Sequence, residues 1–157
     1  MYLINSFKNV NTKHKLVIAG GSSDTDEYTA EVKKAAMNDS RICFIGFVQG
    51  DILQELYSNA YVYVLPSDVE GMPLSLLEAM SYGNCCLVSD IKEITEVVGN
   101  RAVIFQKGNV TMLTEKLQYL CDSEKEVNRY KLQAADFICE KYNWDFVVNE
   151  TLSVYLK

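Results

Sequence analysis

The stretch Pro66-Ser-Asp-Val-Glu-Gly-Met-Pro-Leu-Ser-Leu-Leu-Glu-Ala-Met80 gathers more chemistry than any other in this sequence: among its carboxylates Glu70 and Glu78, with seven residues between them, stand around a glycine and a proline. Proline fits the first position of a helix and disfavours helical geometry just before itself, so Pro73 predicts a helix start with Glu70 in the loop and Glu78 on the helix. Glu78 then lies only about 8 Å along the axis from Pro73, and both acids can reach one cleft. The loop and the first helical turn offer free N–H groups, a positive terminus suited to a diphosphate, and Gly71 lets a ligand approach the main chain. Carboxylates accept hydrogen bonds from vicinal hydroxyls, so one acid could hold a sugar and the other a ribose. A ligand with phosphate in its middle and hydroxyls at both ends, a nucleotide-sugar, satisfies this arrangement.

A plainer account of the two glutamates competes with that one. Ser67-x-x-Glu70 has the spacing of a capping box, and Glu78 could be an ordinary solvated helix residue. Against the first, a helix capped at Ser67 would have to run through Pro73. Against the second, Glu78 is flanked by Leu77 and Ala79 within the apolar stretch 74–80.

The elements that must position these residues follow from hydrophobic period. Apolar runs predict strands at 15–19, 42–46, 61–65, 85–88 and 102–105, and segments of helical period predict helices near 25–37, 52–58, 73–82 and 91–98. Met112, Leu113, Leu117 and Leu120, then Val127, Tyr130, Ala134, Phe137 and Ile138, recur every three or four residues and mark two amphipathic helices, with a last helix over 144–156. This is βα repeated five times. Continuously apolar strands alternating with helices imply an α/β, Rossmann-like parallel sheet with helices on both faces, which binds ligands at its carboxyl edge. A helix over 3–10 opens the chain with no strand before it, so a fragment lacking its first strand is expected.

Composition narrows the class. The chain has 157 residues, 48% apolar and 23% charged, one domain's worth, and no apolar run approaches the ~18 residues of a membrane span. A net charge of −6 repels phosphate backbones, so nucleic acid is not an expected partner. Cys43, Cys85, Cys86, Cys121 and Cys139 form no CxxC pair and read as reduced core residues, which suits a cytoplasmic protein; Cys85 and Cys86, adjacent on a strand, should point to opposite faces. The first ten residues are no secretory signal, which leaves attachment to the inner face of the membrane open.

From about residue 15 to 120 the sequence resembles the C-terminal, donor-binding domain of the retaining GT-B glycosyltransferases of family 4. The matching residues are Lys15-Leu-Val-Ile-Ala-Gly20, Gly46-Phe-Val48, Leu56-Tyr57, Pro66-Ser67, Glu70-Gly71, Pro73-Leu74, Glu78-Ala-Met80, Gly83 and Ser89-Asp90. The resemblance implies that residues 1–157 are a single nucleotide-sugar-binding domain, part of a two-domain enzyme whose N-terminal acceptor domain is missing here. It also implies that Glu70 contacts the transferred sugar, that Glu78 binds the ribose hydroxyls, and that main chain near Phe47 and Val48 meets the base. Amides around Gly71, Met72, Pro73, Leu74 and Ser75 would hold sugar and diphosphate. The implied reaction is transfer, with retention, from a UDP-, GDP- or ADP-sugar to a glycan or lipid-linked acceptor, with no enzyme nucleophile, metal or other cofactor. The family's Arg and Lys that neutralise the diphosphate have no counterpart here, and Lys8 and Lys13 come too late in the pattern to replace them. Met72 stands where an aromatic is usual and Cys85 where proline is usual. A non-catalytic nucleotide-sugar-binding or assembly module is the competing function.

Other motifs carry less. Asp24-Thr-Asp26 has the D-x-D form of a metal site, but acids following Ser23 at a helix start are favoured by capping and the macrodipole. Gly20-Gly21 lacks the spaced glycines of a dinucleotide fingerprint and reads as a turn. His14 reads as an exposed loop residue, and Trp144, Tyr61 and Tyr63 as residues that pack the sheet or anchor the last helix.

Overall fold

The computed structural model describes residues 1–21 and 26–156. In chain order the elements are α1 (Tyr2–Phe7), β1 (Leu16–Ala19), α2 (Asp26–Ala36), β2 (Ile42–Gly46), α3 (Asp51–Asn59), β3 (Tyr63–Leu65) and α4 (Leu74–Ser81). They continue with β4 (Cys86–Ser89), α5 (Lys92–Val98), β5 (Val103–Phe105), α6 (Val110–Asp122), α7 (Glu124–Lys141) and α8 (Trp144–Tyr155). Each expected strand and helix is present, mostly with ends shifted by one or two residues. The first helix is shorter than expected, ending at Phe7.

Among the described residues all pairing is parallel, as expected for a Rossmann-like sheet, β1 with β2 and β3 with β4 with β5, and it falls in two sheets. No described residue bridges β1 and β3, so each keeps one edge without a strand partner. Coverage differs accordingly. All four residues of β4 are buried, as a two-faced parallel strand requires, whereas Val17 of β1 and Ile45 of β2 stay exposed.

The pleat of β4 divides the core in two. Cys86 and Val88 pack with Leu76, Ala79 and Met80 of α4, Ile94 and Val98 of α5, and Ala134 and Ile138 of α7. Cys85 and Leu87 face the other way, against Phe105 of β5 and Leu113, Leu117 and Leu120 of α6. Side chains on a strand alternate, so the adjacent cysteines lie on opposite faces, as expected. All five cysteines are free, but Cys139 is exposed on α7 and Cys43 and Cys121 only half-buried, so the reading of all five as core residues is corrected. Trp144, expected to pack or anchor, is 79% exposed at the start of α8, a helix with no buried residue. An apolar side chain buries only where the fold supplies an opposing surface, and none of the described residues covers this one.

The connection from α1 to β1 is held by Arg41. Its guanidinium forms two bonds to the Asp39 carboxylate, donates to the Val10 carbonyl at 2.7 Å and lies over the Phe7 ring at 4.8 Å. Hydrogen bonding from Arg41 pulls the Asp39 carboxyl down to about 2. A carboxyl lowered by folding stabilises the native state above its ordinary value near 3.8 and loses that contribution as pH falls towards 2. Asp39→Asn is therefore expected to lower the unfolding temperature at pH 7 and to converge with the parent near pH 2, as followed by circular dichroism.

Candidate functional site

The stretch 66–80 leaves the carboxyl end of β3, turns through a loop and enters α4. Pro73 is the cap residue of α4 with φ −78° and ψ 75°, one position earlier than its expected place as first helical residue, and its ring is buried. Glu70 lies in the loop and Glu78 on the helix, as the proline predicts. The capping-box account of Ser67 fails, because no helix starts there. Its hydroxyl instead donates to Glu70 Oε1 at 2.6 Å.

That bond is the last in a relay from the core. Buried Ser89, at the end of β4, donates through Oγ to the Ser67 carbonyl at 2.6 Å, which fixes the residue that orients Glu70. The loop is tied again where Tyr2 donates to the Asp68 carboxylate at 2.7 Å.

Glu78 is exposed, yet its Oε2 accepts a hydrogen bond from the Tyr57 hydroxyl at 3.0 Å. Tyr57, on α3, is 8% exposed and stacks on Tyr82 with centroids 5.5 Å apart. Near them Tyr63 donates through its hydroxyl to Ser75 Oγ at 2.8 Å. Burial pushes the Tyr63 phenol up to about 12, and the negative charges of Glu70 and Glu78 both add to the rise. One half-buried phenol thus feels both carboxylates, each of which accepts a hydrogen bond from a neutral hydroxyl.

The amides of the helix start are not all available. The Leu74 N–H turns back to the Met72 carbonyl at 2.9 Å, and proline has no N–H. The N–H groups of Gly71, Met72 and Ser75 have no main-chain acceptor among the described residues. Of the five residues expected to line this terminus, three offer a free donor. At Gly71 a Cβ would meet nothing within 4 Å and φ is not positive, so nothing in the chain itself requires glycine there. Met72, Leu74 and Ser75 are exposed around it.

A cavity of about 190 Å³ opens beside Glu78, lined by Gly50, Leu53, Gln54, Tyr57, Glu78 and Tyr82. Gly50 caps α3 with φ 58° and ψ −138°, a conformation that only glycine adopts readily, and it ends the loop that carries exposed Phe47 and half-buried Val48. Of the residues singled out from the sequence, Glu78 alone lines this cavity. Glu70 and the 71–75 terminus lie outside it, and Phe47 and Val48 adjoin it through Gly50.

The secondary candidates resolve simply. His14 is exposed, as expected, and stacks on Tyr61 at 4.1 Å. Lys8 donates to the Ala35 carbonyl at 2.9 Å, away from the 66–75 loop. Ser23, Asp24 and most of the D-x-D motif lie outside the described residues, and among the described residues no cluster of three His, Cys, Asp or Glu side chains could hold a metal ion. No described helix is long and apolar enough to cross a membrane.

Three supporting residues escaped the sequence: Tyr57 appeared there only as part of a matching pair, Asn84 not at all, and Ser89 without its bond to the loop. Asn84 is 2% exposed and its Nδ2 donates to the carbonyls of Tyr57, at 2.9 Å, and Ala79, at 3.0 Å, tying α3 to α4. A lone Asn after a glycine at a helix end was the only available signal.

Comparison with known proteins identifies the family. Residues 1–137 match the family described as Glycosyl transferases group 1. Over 98% of its length the chain is 33% identical to an uncharacterized glycosyltransferase of Methanocaldococcus jannaschii, covering 40% of that protein. Over 91% of its length it is 30% identical to an N,N'-diacetylbacillosaminyl-diphospho-undecaprenol alpha-1,3-N-acetylgalactosaminyltransferase of Campylobacter jejuni, covering 37% of it. Among solved structures, HepE of Anabaena, crystallised with UDP and glucose, superposes with a TM-score of 0.88 at 16% identity, over 98% of this chain and 44% of that one. The chain thus spans about two fifths of the length of the relatives it matches.

Proposed function

The chain belongs to the glycosyl transferases group 1 family, and on that premise we propose that it is the donor-binding half of a glycosyltransferase that moves a sugar from a nucleotide-sugar to a glycan or lipid-linked acceptor. The observation that carries the reading is the pair of acids, each oriented by a hydroxyl and both felt by Tyr63, on either side of a helix terminus with free amides. The UDP and glucose bound by HepE, and the undecaprenol-linked substrate in the name of the C. jejuni relative, support the donor and acceptor classes.

In this reading Glu78 accepts the ribose hydroxyls and Glu70 a hydroxyl of the transferred sugar. The amides of Gly71, Met72 and Ser75 meet the sugar and diphosphate, while Pro73 and Leu74 shape the terminus. Main chain at Phe47 and Val48 borders the base. The acceptor hydroxyl attacks from the face the diphosphate leaves, so configuration is retained without an enzyme nucleophile. Charge developing on the departing diphosphate is met by fixed N–H dipoles, which need no reorganisation as the bond breaks. No metal is assigned a part, and a cytoplasmic location at the inner face of the membrane fits a lipid-linked acceptor.

Calorimetry of the chain with UDP, GDP and ADP and their hexose conjugates, in EDTA, tests the reading. One nucleoside diphosphate should bind, and its sugar conjugate should bind more tightly. Glu70→Ala should remove that advantage, a loss of about tenfold for one charge-assisted hydrogen bond, while leaving the bare diphosphate within about twofold of the parent. An unchanged preference for the conjugate would remove Glu70 from the sugar site, and no binding by the folded chain would remove the donor-site reading. A second pathway to the same binding data, a non-catalytic module, is separated by sugar transfer in the longer polypeptide.

A further inference from the structure

Glu78 is an exposed side chain on a helix surface, where a free glutamate would sample several rotamers. Here it does not stand alone. The Tyr57 hydroxyl lies 3.0 Å from Glu78 Oε2 and 3.4 Å from the Ser75 carbonyl, so its single proton is directed to the carboxylate. Tyr57 is itself fixed on several sides. Its ring stacks on Tyr82 and leans against Tyr63 at 6.1 Å, and its carbonyl accepts the buried Asn84 amide. Burial, followed by the bond to Glu78, raises the phenol above its ordinary value, so it stays a donor.

A phenol serves an acid differently from a lysine or arginine. It fixes one oxygen without cancelling the charge, and leaves Oε1 and a lone pair of Oε2 open to further donors. Both oxygens belong to a residue that lines the cavity beside α3. Two vicinal hydroxyls need both acceptors presented together, and one hydroxyl does not.

We propose that Tyr57 is a positioning residue that locks Glu78 in the orientation able to accept both ribose hydroxyls, and so makes the site select ribonucleotides over 2′-deoxyribonucleotides. The proposal rests on the assignment of the ribose to Glu78.

The test uses the full chain and the tightest binder among UDP, GDP and ADP, together with its 2′-deoxy form, on the parent, Tyr57→Phe, Glu78→Ala and the double variant. Tyr57→Phe should weaken the ribonucleotide about tenfold and its 2′-deoxy form by less than about twofold. In the Glu78→Ala background the same change should add nothing, the mark of two residues acting as one unit. Replacing Tyr57 by p-aminophenylalanine, which keeps the ring and returns a donor, should restore the preference. Comparing two nucleotides on one variant cancels any loss of folded protein, so a destabilised Tyr57→Phe remains informative. Equal weakening of both nucleotides by Tyr57→Phe, or additive losses in the double variant, would overturn the proposal and leave Tyr57 a packing residue. If Glu78→Ala itself left the preference for the ribonucleotide intact, the ribose assignment would fall, a distinct result.

Discussion

Glu78→Ala is expected to weaken nucleoside-diphosphate binding by roughly 10- to 100-fold while leaving the unfolding temperature unchanged. The separation of the two effects follows from where the residue sits. Its side chain is exposed on α4, between half-buried Leu77 and buried Ala79, which pack into the core, and alanine is the strongest helix former, so the helix loses nothing. Removing the carboxylate deletes both acceptors offered to the ribose, each worth about 1.5–3 kcal/mol as a charge-assisted hydrogen bond, discounted here because water can partly replace them. Calorimetry gives the affinity and differential scanning calorimetry the stability. A folded variant that binds like the parent would show that this acid faces only solvent, and the ribose assignment would fall with it.

Asn84→Ala is expected to do the reverse, costing about 2–4 kcal/mol of stability through a residue that touches no ligand. Its side-chain amide is buried and donates to the carbonyls of Tyr57 and Ala79. Ala79 keeps a second bond from the Asn84 main chain at 3.1 Å, whereas the Tyr57 carbonyl, in the last turn of α3, loses the side-chain donor that ties it to α4. Urea unfolding should show a lower midpoint with an unchanged slope. A change below about 0.5 kcal/mol, the range of ordinary surface substitutions, would mean that water replaces the amide and that α3 and α4 are held by apolar packing alone.

The two substitutions mark what local sequence can and cannot disclose. Glu70 and Glu78 stood out because proline imposes its geometry on immediate neighbours, so loop and helix could be assigned within a few residues of Pro73. The residues that orient those acids did not stand out, with one exception. Ser67 is three positions from Glu70 and its spacing was visible, though it suggested a cap. Tyr57 lies 21 positions from Glu78, and Ser89 lies 22 from the Ser67 carbonyl it holds. Nothing in the composition or period of either segment encodes such a meeting.

Availability of the amides was equally hidden. The sequence offered residues 71–75 as one terminus, but the backbone path turns the Leu74 N–H inward to Met72 and leaves Gly71, Met72 and Ser75 outward.

By itself the sequence determined the alternation of strand and helix, the faces of Cys85 and Cys86, and the placement of two acids about Pro73, because period, chirality and proline sterics act over a few residues. Only the tertiary structure decided that β1 and β3 do not pair, that Trp144 stays uncovered, and that Tyr57, Ser89 and Asn84 stand behind the site. Strand pairing, burial and hydrogen bonding between distant segments depend on which surfaces the folded chain brings together, and hydrophobic period is silent on that choice.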